Sequence, residues 1–182
     1  MVQRLGCDYP DRFAAVAIMI YQMPPGHTCG PRKALPMIHY YGDLDTGVPA
    51  DGEPSPYGWI YTSAAENTRI WAAAMGCATP TVPWQTPLTN AHNLRCEAHT
   101  QCEKKADEVV SCGDPAAGHE WQAQRIPAIP AGCVAPAQQQ DLPKQVLCPQ
   151  VSSPQKRWGM EMVWQFFSRY SRRATTDAIS ST

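Results

Sequence analysis

Met37-Ile38-His39-Tyr40-Tyr41 is a largely apolar run of strand length that stops at Gly42 and the acidic cluster Asp43-Leu44-Asp45. Short apolar runs bounded by turn residues fit strands buried on both faces of a parallel sheet. A strand that ends in a polar turn also sets ionisable side chains at one rim of its sheet, where α/β proteins bind their ligands. Upstream, Phe13 to Ile20 (FAAVAIMI) is a second run of the same kind. Downstream, Glu108-Val109-Val110-Ser111-Cys112 is a third, followed by the turn formers Gly113-Asp114-Pro115 and then by Gly118-His119-Glu120-Trp121.

Three helical patterns accompany these strands. Residues 1–9 read as the end of a helix closed by Pro10-Asp11, because the residue before a proline is pushed out of the helical region. Ser63-Ala64-Ala65-Glu66 matches a capping box and opens a helix whose Ile70, Trp71, Ala74 and Met75 share one face, with Gly76 as its stop. Trp158, Met162, Phe166 and Tyr170 recur every four residues, with Val163 and Phe167 widening the stripe, so this helix should dock on the sheet. Arg169, Arg172 and Arg173 lie at its C-terminal end, where cations favour the helix dipole.

The order helix, strand, strand, helix, strand, helix predicts an α/β fold of parallel strands flanked by helices on both faces. Residues 78–107, proline-rich and then polar, read as a disulfide-stapled surface excursion with little regular structure. Residues 122–155 read as a loop-rich insertion and residues 174–182 as a polar tail, so that 1–182 makes a single domain.

Composition narrows the function classes. Fifteen Lys plus Arg against sixteen Asp plus Glu give a net charge of −1, no electrostatic footprint for nucleic acid or an anionic membrane. No run approaches the ~18 apolar residues of a membrane span. Eight cysteines, at 7, 29, 77, 96, 102, 112, 133 and 148, contain no C-x-x-C pair, which favours disulfides over zinc. Their pairing stays open, although a bridge from Cys133 to Cys148 would restrain the insertion. Disulfides imply an oxidising, extracellular compartment, yet MVQRLGCDYPDRF carries no signal peptide.

Asp45 and His119 each follow a strand by a few residues, so a parallel sheet would bring both to one rim. A hydrolytic triad needs a carboxylate to orient an imidazole and an imidazole to take a proton from the nucleophile. Acid before base is also the α/β-hydrolase order. CDYPDRFAAVA, IHYYGDLDTGVP and GHEW, followed by WGMEMVWQFFSR, together resemble the polyhydroxybutyrate depolymerase and feruloyl esterase family of α/β-hydrolases. The resemblance covers residues 1–20, 29–76 and roughly 108–121 and 158–170. It implies the C-terminal part of an α/β-hydrolase fold, Asp45 and His119 as catalytic acid and base, and Trp121 as an aromatic lining the substrate site.

The chain departs from that family at Tyr41, where a histidine is common, and at Asp114-Pro115-Ala116-Ala117, which replaces a glycine-rich approach to the histidine. It also contains no G-x-S-x-G, and Ser55, Ser63, Ser111, Ser152, Ser153 and Ser168 lack the strand-turn-helix setting of a nucleophile. The resemblance implies that the nucleophile lies just upstream of Met1. A chain that starts inside the helix after the nucleophile would lack the serine, the oxyanion hole and the signal peptide at once, and would leave a sheet edge prone to association. The expected function is a secreted serine ester hydrolase present as a fragment, inactive in isolation, without metal or cofactor. Its substrate would be an ester, of a polyester or an esterified polysaccharide, for which Tyr57, Trp59 and Trp121 could form an apolar platform. The alternative is a non-catalytic secreted binding module that has lost its nucleophile.

Overall fold

In the computed structural model, which describes residues 1–27, 29, 34–119 and 158–171, the run at 37–42 becomes an inner strand of a five-stranded sheet. The elements in chain order are α1 (Val2–Asp8), β1 (Val16–Met19), β2 (Met37–Gly42), α2 (Ala64–Ala74), β3 (Val82–Pro83), α3 (Pro87–Ala91), β4 (Arg95–His99), β5 (Val109–Asp114) and α4 (Trp158–Phe167). The strands lie in the order β1-β2-β5-β4-β3. Pairing is parallel from β1 through β2 to β5, with Ile18 opposite His39 and His39 opposite Ser111. It is antiparallel from β5 to β4 and from β4 to β3.

The three apolar runs form the three parallel strands because each can bury both faces. Successive residues of β2 and β5 alternate between two cores. Met37 and Val109 join Val16, Ile18, Cys7 of α1 and Trp71 and Ala72 of α2 on one face. Ile38, Tyr40, Val110 and Cys112 join Leu94 and Met162 and Phe166 of α4 on the other. Trp71 is fully buried, and its indole N–H donates to the Leu35 carbonyl at 2.7 Å, so no polar atom of that ring is left unpaired. Ser63 caps α2 as its spacing predicts, accepting the Glu66 amide at 3.1 Å.

Residues 78–107 correct the sequence reading. They are an ordered extension of the sheet: the whole of β4 pairs with Val109–Gly113 of β5, β3 pairs with β4, and α3 is capped by Thr86. The sheet is therefore mixed, where parallel strands alone were expected. Cys96 faces Cys112 across the β4–β5 ladder and is bridged to it. Cys77 to Cys102 joins the end of α2 to the β4–β5 connection, and Cys7 to Cys29 anchors α1. The staple was anticipated, but it holds a strand in place.

The expected insertion at 122–155, the tail at 174–182, Cys133, Cys148, Arg172 and Arg173 lie outside the described residues. Among the described residues no helix is long and apolar enough to cross a membrane.

Candidate active site

Asp45 stands three residues past the end of β2, at the rim where all three parallel strands end. The turn fixes it. Its Oδ1 accepts the backbone N–H of Gly47 and of Val48, both at 2.8 Å, in an Asx-type turn. The side chain is 1 % exposed, and with Oδ1 occupied, Oδ2 is left to face outward.

His119 arrives from β5 through a turn built by Asp114. The Asp114 Oδ1 accepts the Ala116 amide at 2.9 Å, and its Oδ2 accepts the Tyr40 hydroxyl at 2.8 Å. Asp114 thus serves as the turn former where glycines were expected. The loops after β2 and β5 then cross in contact: Asp43 N–H donates to the Asp114 carbonyl at 3.0 Å and Leu44 N–H to the Ala117 carbonyl at 2.9 Å. The crossing is tight at Gly42, where a Cβ atom would stand 2.3 Å from the Ala117 carbonyl oxygen, so only glycine fits.

These two backbone bonds bring together the residues that the sequence paired. The His119 Nδ1 lies 2.9 Å from the Asp45 Oδ2. The imidazole is 55 % exposed while its carboxylate partner is buried, so one ring edge is held by the protein and the other faces solvent. With Nδ1 donating to the carboxylate, Nε2 carries the free lone pair. That geometry suits an imidazole poised to accept a proton from a group outside and then return it.

A groove of about 830 Å³ is bordered by Asp45. Asp43, Asp45, Asp51, Glu53, Pro54 and Pro56 are among its walls, and Arg95 reaches in from β4 to pair with Asp43. Tyr61 lies within the electrostatic reach of Asp45. Its phenol is held above the ordinary tyrosine range, by burial first and then by Tyr21 and the Asp45 carboxylate. Tyr21, just past β1, meets Tyr61 edge to face at 5.5 Å between ring centroids.

Sequence reasoning found Asp45 and His119 but missed Arg95, Tyr61, Asp51 and Glu53. Arg95 was hidden because its strand was not recognised, and the other three stand on a loop without periodicity. Trp121, expected to line the site, lies outside the described residues, as do Ser152 and Ser153. Four of the serines considered above have structural tasks. Ser55 is buried and accepts the Tyr57 amide, Ser63 caps α2, Ser111 pairs with Thr68, and Ser168 donates to the Gln165 carbonyl. No protein-family model, curated protein or solved structure matches the chain.

Proposed function

We propose that the Asp45–His119 pair is the acid and base of a serine-type carboxylic ester hydrolase whose nucleophile is supplied from outside these 182 residues. The observation that carries the reading is the 2.9 Å contact between a buried, doubly amide-bound carboxylate and a half-exposed imidazole. A structural ion pair on a surface has no need of that asymmetry. A general base has, since its orienting carboxylate must be fixed and its working nitrogen accessible.

On this reading His119 Nε2 takes the proton from the attacking hydroxyl and delivers it to the leaving alkoxide, while Asp45 holds the tautomer and stabilises the imidazolium. Asp45 does not itself take the proton. On the same reading the groove bordered by Asp45 receives the ester. The resemblance of the segments around Asp45 and His119 to polyhydroxybutyrate depolymerases and feruloyl esterases supports the same chemistry. The three disulfides support an extracellular setting.

The test is hydrolysis of p-nitrophenyl butyrate by the longest natural polypeptide containing this chain. We expect turnover by the parent protein, labelling of one serine by a fluorophosphonate, and a fall of roughly 10⁶-fold in kcat for His119→Ala. Full activity in that variant would refute the assignment.

A further inference from the structure

We propose that Tyr40, which at 1 % exposure no substrate can touch, is a positioning residue for His119: its hydroxyl, acting through Asp114, fixes the turn that delivers the imidazole to Asp45. The consequence for turnover rests on the ester-hydrolase reading, whereas the placement of the ring is a property of this chain alone.

An imidazole that stands half in water is not held by packing, so its place is set by the Asp45 carboxylate and by the backbone that carries it. That backbone leaves the sheet at Asp114, the last residue of β5. The Asp114 Oδ1 accepts the Ala116 amide, and its main-chain carbonyl accepts the Asp43 amide at 3.0 Å and the Ala117 amide at 3.3 Å. Ala117 is fully buried and its carbonyl lies against Gly42, so Gly118 alone separates a fixed turn from His119.

Tyr40 enters at the other carboxylate oxygen. Asp114 is buried, and a charged acceptor left there without its donor costs more than one amide bond returns, so the side chain would turn towards water and release the Ala116 amide. The Tyr40 hydroxyl supplies that donor to Oδ2 at 2.8 Å. Register explains why the donor is a tyrosine. Tyr40 stands opposite Cys112 and Asp114 opposite Gly42, two residues further along the same face, a diagonal that serine or threonine is too short to cross. The ring is itself held. Trp158, the first residue of α4, meets it edge to face at 6.0 Å between centroids and is stacked on His92 at 4.2 Å. Phenylalanine at position 40 keeps that packing and loses only the donor.

Tyr40→Phe in the 182-residue chain tests the placement with no nucleophile needed. The nitrogen chemical shifts of His119 should lose the Nδ1–H form that Asp45 holds and move to the tautomer mixture of a free imidazole. Trp71→Phe, which deletes a buried N–H bond in the opposite core, should leave those shifts at parent values. Asp114→Asn keeps an acceptor for the Ala116 amide and offers an N–H to the phenol oxygen, so it should keep the parent shifts; Asp114→Ala should lose them, and adding Tyr40→Phe should then change nothing more. Should Tyr40→Phe fail to fold, the contrast between the two Asp114 variants decides. In the longest natural polypeptide containing the chain, kcat of Tyr40→Phe should fall roughly 10²-fold with KM within about twofold, as for a displaced base and not a lost substrate contact. Parent shifts in folded Tyr40→Phe, an equal disturbance by Trp71→Phe, or a Tyr40→Phe effect undiminished in the Asp114→Ala background would overturn the proposal. Displaced shifts in a chain whose parent polypeptide cleaves no ester would uphold the positioning and refute the hydrolase reading alone.

Discussion

The Asp45 carboxylate serves two backbone amides and one imidazole, so its substitutions separate structural from chemical consequences. Asp45→Ala leaves the Gly47 and Val48 amides without their acceptor in a buried turn. We expect a loss of about 2–3 kcal/mol in urea denaturation. Asp45→Asn keeps one acceptor oxygen for those amides but offers an N–H to His119. The imidazole must then accept at Nδ1, and its proton moves to Nε2. Nitrogen chemical shifts of His119 should report that tautomer change in a folded protein; an unchanged tautomer would mean that the carboxylate does not orient the ring. His39 behaves differently. It is fully buried on β2, and burial pushes it down to about 4, offset in part by the Tyr21 backbone. Between pH 4 and 6.5 the unfolded chain therefore binds the proton that the folded chain refuses. Stability should be full above pH 6.5 and fall as the pH drops towards 4, by about 3 kcal/mol from this residue. His39→Leu should remove that part of the slope, and identical pH dependence in parent and variant would exclude His39 as its source.

Elements show what sequence can and cannot reveal. α2 was legible because its cap is local, and α4 because Met162 and Phe166 recur on one face and are both fully buried. β2 and β5 were legible because strands buried on two faces carry unbroken apolar runs. β4 was not, since Arg95-Cys96-Glu97-Ala98-His99 has a mixed pattern and becomes a strand through its ladder to β5 and the Cys96–Cys112 bridge. β3, two residues long, is too short for any period to register. The bridge is thus predicted to hold the extension. Replacing both Cys96 and Cys112 with serine, across a sequence separation of 16, should cost ~3 kcal/mol by the chain-entropy argument. Amide exchange should accelerate in β4 more than in β1 or β2. The loop crossing offers a second prediction at this scale. Gly42→Ala drives a methyl group into the Ala117 carbonyl, so the two site loops must part. A loss of about 1–3 kcal/mol and a changed His119 environment are expected, with the helical signal unaltered.

At the scale of the molecule, the parallel half of the sheet sets the site and the antiparallel half supports it. Arg95 brings β4 to the Asp43 side of the groove, and Arg169 closes on buried Glu108 to tie the end of α4 to the start of β5. The two ends of the sheet are unlike. β3 is a two-residue edge, short enough to offer little to another chain. β1 is bound to β2 on one side, with Val16 N–H donating to the Pro36 carbonyl and Ile20 N–H to the Tyr40 carbonyl. Because alternate residues of a strand point their amides to opposite sides, Ala17 and Met19 direct N–H and C=O groups away from β2. Among the described residues no strand takes them. The segment from Phe13 to Ile20 carries no charge and no proline, the usual safeguards of an edge, and Phe13, Met160 and Trp164 are exposed large apolar side chains. The chain should therefore associate with increasing concentration through this edge. Sedimentation velocity over a concentration series checks it: Met19→Lys should shift the protein towards the monomer, while Val82→Lys on the far edge should leave the distribution unchanged. Equal effects of the two lysines, or a monomer at every concentration, would show that the β1 edge is not a contact surface.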